Sequence, residues 1–308
     1  MPRNLFVTQT KLWKRNNKNR YPPSSDGNIL LPIKNKREMR KKLIRKKNER
    51  DIPRLYKYSN IEGAHASLGN LTLRFKAPNQ FNDPFEFSVG GIEEATDDQI
   101  KLFYQKEGIP EDTPAEKFND FFKKEGHAIL AKQAEVLNAC IRVTCFSTNI
   151  LNILMWSHYA EDHKGIAIEY DVNSILHRCM DDDMSIGLQK IEYSRIKPKI
   201  QNLLLITDQE RNKEMAKIAG TKSNDWSYEK EWRLILINAD YEKAKTEGVT
   251  RDIRFYPNEI KGIYFGGKCD KNTIESIKDI CLRQHIESPI YQIQFSSKSY
   301  EISYHKIH

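Results

Sequence analysis

The spacing of apolar and polar positions breaks most of the chain into short strands and amphipathic helices. Cys140 to Ser147 is rich in β-branched and small residues and reads as a strand. A polar stop at Thr148-Asn149 follows, then helical spacing up to a break at Gly165, then a second strand from Ile166 to Tyr170. Upstream, Leu55 to Tyr58 predicts a strand, Asn60 caps a helix to about Leu68, and Leu71 to Phe75 predicts another strand. Thr96 to Glu107 and Thr113 to Leu137 carry helical spacing. Downstream, helices are expected at Asn173 to Cys179, Asp208 to Ala219 and Asn272 to Arg283. Strands are expected at Leu188 to Tyr193, Glu231 to Ile237, Ile260 to Phe265, Ile290 to Phe295 and Glu301 to His305. Strands and helices do not alternate as in a doubly wound fold, and no internal repeat is evident. The expected class is therefore α+β, with a mixed, largely antiparallel sheet and packed helices.

Charge changes this picture at one end. The 308 residues carry a net charge of +8. Met1 to Arg54 holds 17 Lys and Arg against 4 Asp and Glu, a surplus of +13, whereas the remainder holds 33 against 38, or −5. The expected organisation is a basic, partly helical extension over residues 1–52 and one α+β domain over 53–308. Arg37, Lys41, Lys42, Arg45 and Lys46 would cover much of a helix in that arm. Such a surface either contacts nucleic acid, where each neutralised phosphate releases counterions, or serves as a solubilising or partner-docking extension. No apolar run approaches the roughly 20 residues needed to span a bilayer, so no membrane partner is expected. Five cysteines without repeated spacing point to buried small hydrophobes in a reducing cytoplasm rather than to disulfides or a zinc site.

Two segments concentrate the candidate chemistry. On the helix before Gly165, Asn152, Trp156, Tyr159 and His163 form a polar and aromatic stripe, while Ile150, Leu151, Leu154 and Met155 lean to the other side as core. In Trp226-Ser-Tyr-Glu229-Lys-Glu231-Trp-Arg233, strand alternation turns Glu229, Glu231 and Arg233 one way and Trp232, Leu234 and Leu236 the other. Two carboxylates beside an arginine are poor core material. Arg233 on the same face should favour an ionised Glu231. The bland reading is a helix packing face, a His163 that caps a helix end, and a structural Glu231–Arg233 ion pair. Asp83, Glu86, Glu229, Glu231 and Lys57 are a conceivable set for a metal-dependent nuclease, with no metal site assigned from spacing.

Leu55-Tyr-Lys-Tyr58, Phe81-Asn-Asp-Pro-Phe-Glu86, Cys145-Phe-Ser147, Met155-Trp-Ser-His-Tyr-Ala160 with His163-Lys-Gly165, and Tyr228-Glu-Lys-Glu-Trp-Arg233 together resemble a bacterial family, domain of unknown function 2971, from Pro53 to Gly267. A second resemblance, in motif order, is to ADP-ribosyltransferases: Tyr56-Lys57-Tyr58 early, Ser147-Thr148 in the middle, and Glu229-Lys-Glu231 late. It implies NAD as a substrate and transfer or hydrolysis at its nicotinamide–ribose bond. Glu231 would hold the ribose 2'-hydroxyl and stabilise the oxocarbenium charge, and Glu229 would activate the acceptor. Tyr56, Lys57, Ser147, Trp156, Tyr159, His163 and Arg233 would line the binding site, with Tyr159 and Trp156 as flat surfaces for nicotinamide. A toxin or phage-defence effector, with an antitoxin or other protein partner, is the implied setting. A non-catalytic nucleic-acid or protein-binding module is the remaining alternative.

Overall fold

A computed structural model describes residues 52–110, 112–181, 185–202, 205–238 and 240–308. The basic stretch with Arg37, Lys41, Lys42, Arg45 and Lys46 lies outside the described residues. The fold is α+β, and its ten-stranded sheet is antiparallel at every junction but one. Its centre is β4 (Ile141–Ser147), whose one edge is covered along its full length by β10 (Glu231–Ile237) and then by β6 (Ile186–Lys190). The other edge is shared. β1 (Leu55–Ser59) pairs at Ser147 and continues through β5 (Ile166–Tyr170), β12 (Ile260–Phe265), β13 (Ile290–Phe295) and β14 (Ile302–Lys306). β2 (Thr72–Lys76) pairs at Val143 and continues to β11 (Thr250–Arg254), so the sheet forks at β4. β12 and β13 form the parallel junction. Two short parallel ladders stand apart, β3 (Gly91–Ile92) with β8 (Lys199–Ile200), and β7 (Glu192–Ser194) with β9 (Thr221–Ser223).

Period-two alternation gives β4 and β10 two different faces. Phe146, Leu234 and Leu236 enter the largest core, with Leu55, Leu68 and Phe75. Helices α1 (Ile61–Asn70), α5 (Val172–Asp181) and α8 (Lys271–Arg283) contribute Ala64, Ile175 and Ile277 to it. Ile141, Val143 and Ile235 face the other way, against Phe87, Ile218 of α6 (Asp208–Ala219) and Leu137 of α3 (Ala115–Cys140). Farther along β10, that second face carries Glu231 and Arg233 instead of apolar side chains. α2 (Asp97–Glu107) begins with a capping box, the Thr96 hydroxyl accepting from the Gln99 N–H, and α7 (Tyr241–Thr246) packs on α3.

The helix expected to run to Gly165 is shorter. α4 spans Ile153–Tyr159, and the chain then reverses through Glu161, Asp162 and His163, all with positive φ (49°, 52° and 72°). Two glycines allow this reversal to lie close to the sheet. A Cβ on Gly165 would strike the Ser59 carbonyl and Ala160, and one on Gly266 would strike the His163 carbonyl. Gly266→Ala is expected to cost about 1–3 kcal/mol, the usual range for overpacking. A lowered urea midpoint with unchanged slope would register it, and an unchanged midpoint would refute the close approach.

Candidate active site

The 3-10 turn Asn224–Glu229 delivers the chain into β10, and Lys230 takes the left-handed conformation at φ 45°. Glu229 therefore precedes the strand and does not share strand alternation with Glu231 and Arg233. Its carboxylate still converges on theirs because the turn is pinned to its neighbours. The Ser147 hydroxyl donates to the Glu229 carbonyl at 2.6 Å, and Asn152 Nδ2 donates to the Tyr228 carbonyl at 2.9 Å. The Glu231 N–H donates to the Tyr193 hydroxyl at 2.8 Å. Ser147→Ala would leave a buried carbonyl without its donor, for an expected cost of about 1–3 kcal/mol by thermal unfolding. An unchanged Tm would mean that the turn is held elsewhere.

Three carboxylates and two cations meet beneath this turn. Arg233 Nε and Nη2 donate to Glu231 at 2.7 and 3.1 Å, while Nη1 donates to Glu86 Oε1 at 2.6 Å and to the Ala219 carbonyl at 2.9 Å. Lys222, which faces Tyr193 across the β7–β9 ladder, donates to Glu229 Oε2 at 2.6 Å and Glu231 Oε2 at 3.2 Å. All five side chains are at most 5% exposed. Tyr159, at the end of α4, donates to Glu229 Oε1 at 2.6 Å and accepts from Asn82 at 3.2 Å. Tyr159 is half-buried and Asn82 exposed, so this is where the network reaches the surface.

Electrostatics separates the two glutamates. Burial pushes Glu229 up to about 7; the neighbouring Glu231 charge adds to this and Lys222 opposes it. Glu231 is also buried, but the Arg233 and Lys222 charges and their hydrogen bonds overcome burial and hold it near about 2. Burial and the Glu229 charge raise Tyr159 well above the ordinary phenol range, so its hydroxyl stays protonated. Counting charges gives the same result: with Glu229 protonated, Glu86 and Glu231 balance Lys222 and Arg233.

Around Tyr159 lies an aromatic rim. His158 Nδ1 is 2.9 Å from the Tyr228 hydroxyl, the Tyr228 and Trp226 rings are 6.2 Å apart, and the Lys222 ammonium stands 4.9 Å from the centroid of Trp226. His158 is exposed, and Tyr228 and Trp226 are half-buried.

The expected site residues part company at several points. Trp156 is fully buried, its indole N–H donating to the Ile150 carbonyl at 2.7 Å and its ring packed against Tyr58. Both ring faces are thus core, and none is offered to a ligand. His163 is carried off the stripe by the left-handed turn and packs its ring against Phe295. Tyr56 is buried with Tyr264 beside Glu169, on a neighbouring part of the sheet. Lys57 projects to the opposite face, because Tyr56 is the residue paired with Ser147; its ammonium donates to Thr144 at 2.7 Å, and burial pushes it down to about 8. Ser147 is buried and bonded to backbone, which makes it a positioning residue. Leu151 and Leu154, expected in the core, are exposed because the short helix turns Met155 and Trp156 inward. The nuclease set is likewise divided: Lys57 lies across the sheet, Asp83 accepts the Phe85 N–H, and Glu86, Glu229 and Glu231 are engaged by Arg233 and Lys222. The sequence reading missed Lys222. Two carboxylates and one arginine entering a core do call for a second cation, but nothing in the spacing says which residue supplies it.

No curated protein and no solved structure matches the chain. A family model described as "Protein of unknown function (DUF2971)" matches residues 155–234, a shorter span than the resemblance from Pro53 to Gly267. Tyr159, Lys222, Glu229, Glu231 and Arg233 all fall inside it, so the ionic network, although completed by Glu86 from outside, is built on the segment that the family model matches.

Proposed function

We propose that this protein is an enzyme that breaks the nicotinamide–ribose bond of NAD, or of a closely similar nucleotide, with the Tyr159–Glu229 pair as its base. The observation that carries the reading is the divergence of two neighbouring carboxyl groups, Glu229 at about 7 and Glu231 at about 2, with Glu229 bonded to a half-exposed tyrosine. Environments that drive paired carboxyls apart in this way assign acid–base roles. Glu229 is poised near neutrality, where proton transfer is most effective. Glu231 is held by Arg233 and Lys222, so its role is to fix charge and geometry. That is a change from the sequence expectation, in which Glu231 met the ribose directly.

In such a reaction the C1'–N bond breaks and nicotinamide leaves with the electron pair as a neutral ring, so no general acid is required. Water or an acceptor group forms the new bond at C1'. Its proton passes to the Tyr159 oxygen as the Tyr159 proton passes to Glu229. The rim of His158, Tyr228 and Trp226 supplies flat surfaces for a heteroaromatic ring. Incubating the full chain with NAD and measuring released nicotinamide tests the reading. Absence of turnover by the unaltered protein, with water or with added protein and nucleic-acid acceptors, would overturn it.

A further inference from the structure

One lysine stands apart from the ionic network. Lys57 of β1 lies opposite Ile168 and beside Phe146, on the face of the sheet that carries the largest core. Its ammonium is 5.9 Å from the centroid of the Phe146 ring and donates to the Thr144 hydroxyl at 2.7 Å, a neutral acceptor. Among the described residues no carboxylate forms a salt bridge with it. A lysine on an apolar face is ordinarily paired, because an ammonium taken from water without a counter-charge is costly. Its place is the fork of the sheet. β4 meets β1 at Ser147 and β2 at Val143, and Thr144, to which Lys57 reaches, lies in the stretch between them that neither strand covers. Lys57 is half-buried, so it is not sealed from solvent. Burial holds its ammonium down to about 8; Cys145 of β4 and Glu231 of β10 oppose this, and Lys76 of β2 reinforces it. Glu231 lies on the other face of the sheet and is engaged there by Arg233 and Lys222.

We propose that Lys57 is a nucleophilic amine that forms a Schiff base with a small aldehyde or ketone of apolar body. Imine chemistry needs a lysine that is neutral near physiological pH, and desolvation without a counter-charge is what produces one. The neutral nitrogen attacks the carbonyl carbon, and the π pair of the C=O bond moves to oxygen. The two amine protons then leave with that oxygen as water, and the nitrogen lone pair closes the C=N bond. Phe146 and Ile168 give the carbonyl compound an apolar contact, and Thr144 holds the nitrogen in place. The site is on the opposite face of the sheet from the Tyr159–Glu229 pair, and the inference does not depend on NAD chemistry.

Butyraldehyde with sodium cyanoborohydride, which reduces an imine to a stable secondary amine, is a suitable probe for the full chain, read by peptide mass spectrometry. At neutral pH Lys57 is expected to be alkylated about tenfold or more faster than the exposed lysines, whose ordinary pKa of about 10.4 leaves far less neutral amine. Its rate should be half-maximal near pH 8, while theirs continues to climb. Lys57→Met puts an apolar chain of similar length on the apolar face. It is expected to abolish the label there and to keep or raise the Tm, because an unpaired charge is removed. Alkylation of Lys57 no faster than that of the exposed lysines, or a pH profile like theirs, would overturn the proposal. So would a lower Tm in Lys57→Met, which would make Lys57 a structural donor to Thr144.

Discussion

Replacing Arg233 by leucine is expected to destabilise the protein by about 3–5 kcal/mol, because it strands buried charge instead of merely deleting a contact. The guanidinium is fully buried and serves Glu231, Glu86 and the Ala219 carbonyl at once. Without it, three carboxylates face Lys222 alone. For a chain of this size the loss corresponds to a fall in Tm of about 2–4 °C per kcal/mol. Arg233→Lys should recover little, since a single ammonium cannot span two carboxylates with the fixed fork of a guanidinium. The exposed pair of Arg74 and Asp252 is the control. It has two hydrogen bonds of 2.9 Å, yet the side chains are 56% and 37% exposed, so Arg74→Leu should cost at most about 1 kcal/mol. Equal losses in the two variants would remove the argument that burial gives the Arg233 cluster its weight.

The elements with strong apolar period were legible in the sequence for a plain physical reason: their burial follows their spacing. β4, β10 and β12 hold two packed faces or one, and α6 and α8 carry caps and stripes that localise their ends. β11 escaped because it is an edge strand with a single buried side chain, Ile253, in Thr-Arg-Asp-Ile-Arg. Polar edges resist aggregation and also erase the alternation that would reveal them. Leu188 to Tyr193 was expected as one strand but divides into β6 in the main sheet and β7 in a separate ladder, with the Ile191 N–H bonded to the Glu231 carbonyl between them.

The site was legible by residue type and only partly by arrangement. Glu229, Glu231, Arg233 and Tyr159 do meet, because the family-like motifs bring the turn, β10 and α4 to one end of the sheet. Trp156 and His163 do not join them, and that outcome turns on where a helix stops. Helical periodicity held for Asn152, Trp156 and Tyr159, but a three-residue left-handed reversal after Tyr159 cannot be read from side-chain spacing. Within the helix, the larger ring took the buried position and the hydroxyl-bearing one took the rim. Lys222 was illegible for the opposite reason. It sits in a three-residue strand, Thr-Lys-Ser, too short to show a pattern, and its importance comes from contacts seven and nine residues away.

Glu229→Gln is expected to lower nicotinamide release from NAD by about 10²–10⁴-fold, the usual contribution of a general base. It should do so while making the protein more tolerant of alkaline pH. The two effects share one cause. Folding raises Glu229 from its ordinary value to about 7, so its contribution to stability is fully present below about pH 4.5 and is lost as pH rises through about 7. The glutamine amide is neutral throughout, keeps an oxygen for Lys222, and escapes that loss. Glu231, lowered to about 2, behaves oppositely: its contribution is present above about pH 4.5 and disappears as pH falls towards 2. Wild-type turnover should rise through about pH 7 as Glu229 loses its proton, in the same interval where its stability declines. Urea unfolding at pH 5 and pH 8, paired with turnover across that range, checks both arms. A glutamine variant that turns over at the wild-type rate would end the catalytic assignment. One that is inactive but shows the wild-type decline in stability between pH 5 and 8 would mean that the titrating group is not Glu229.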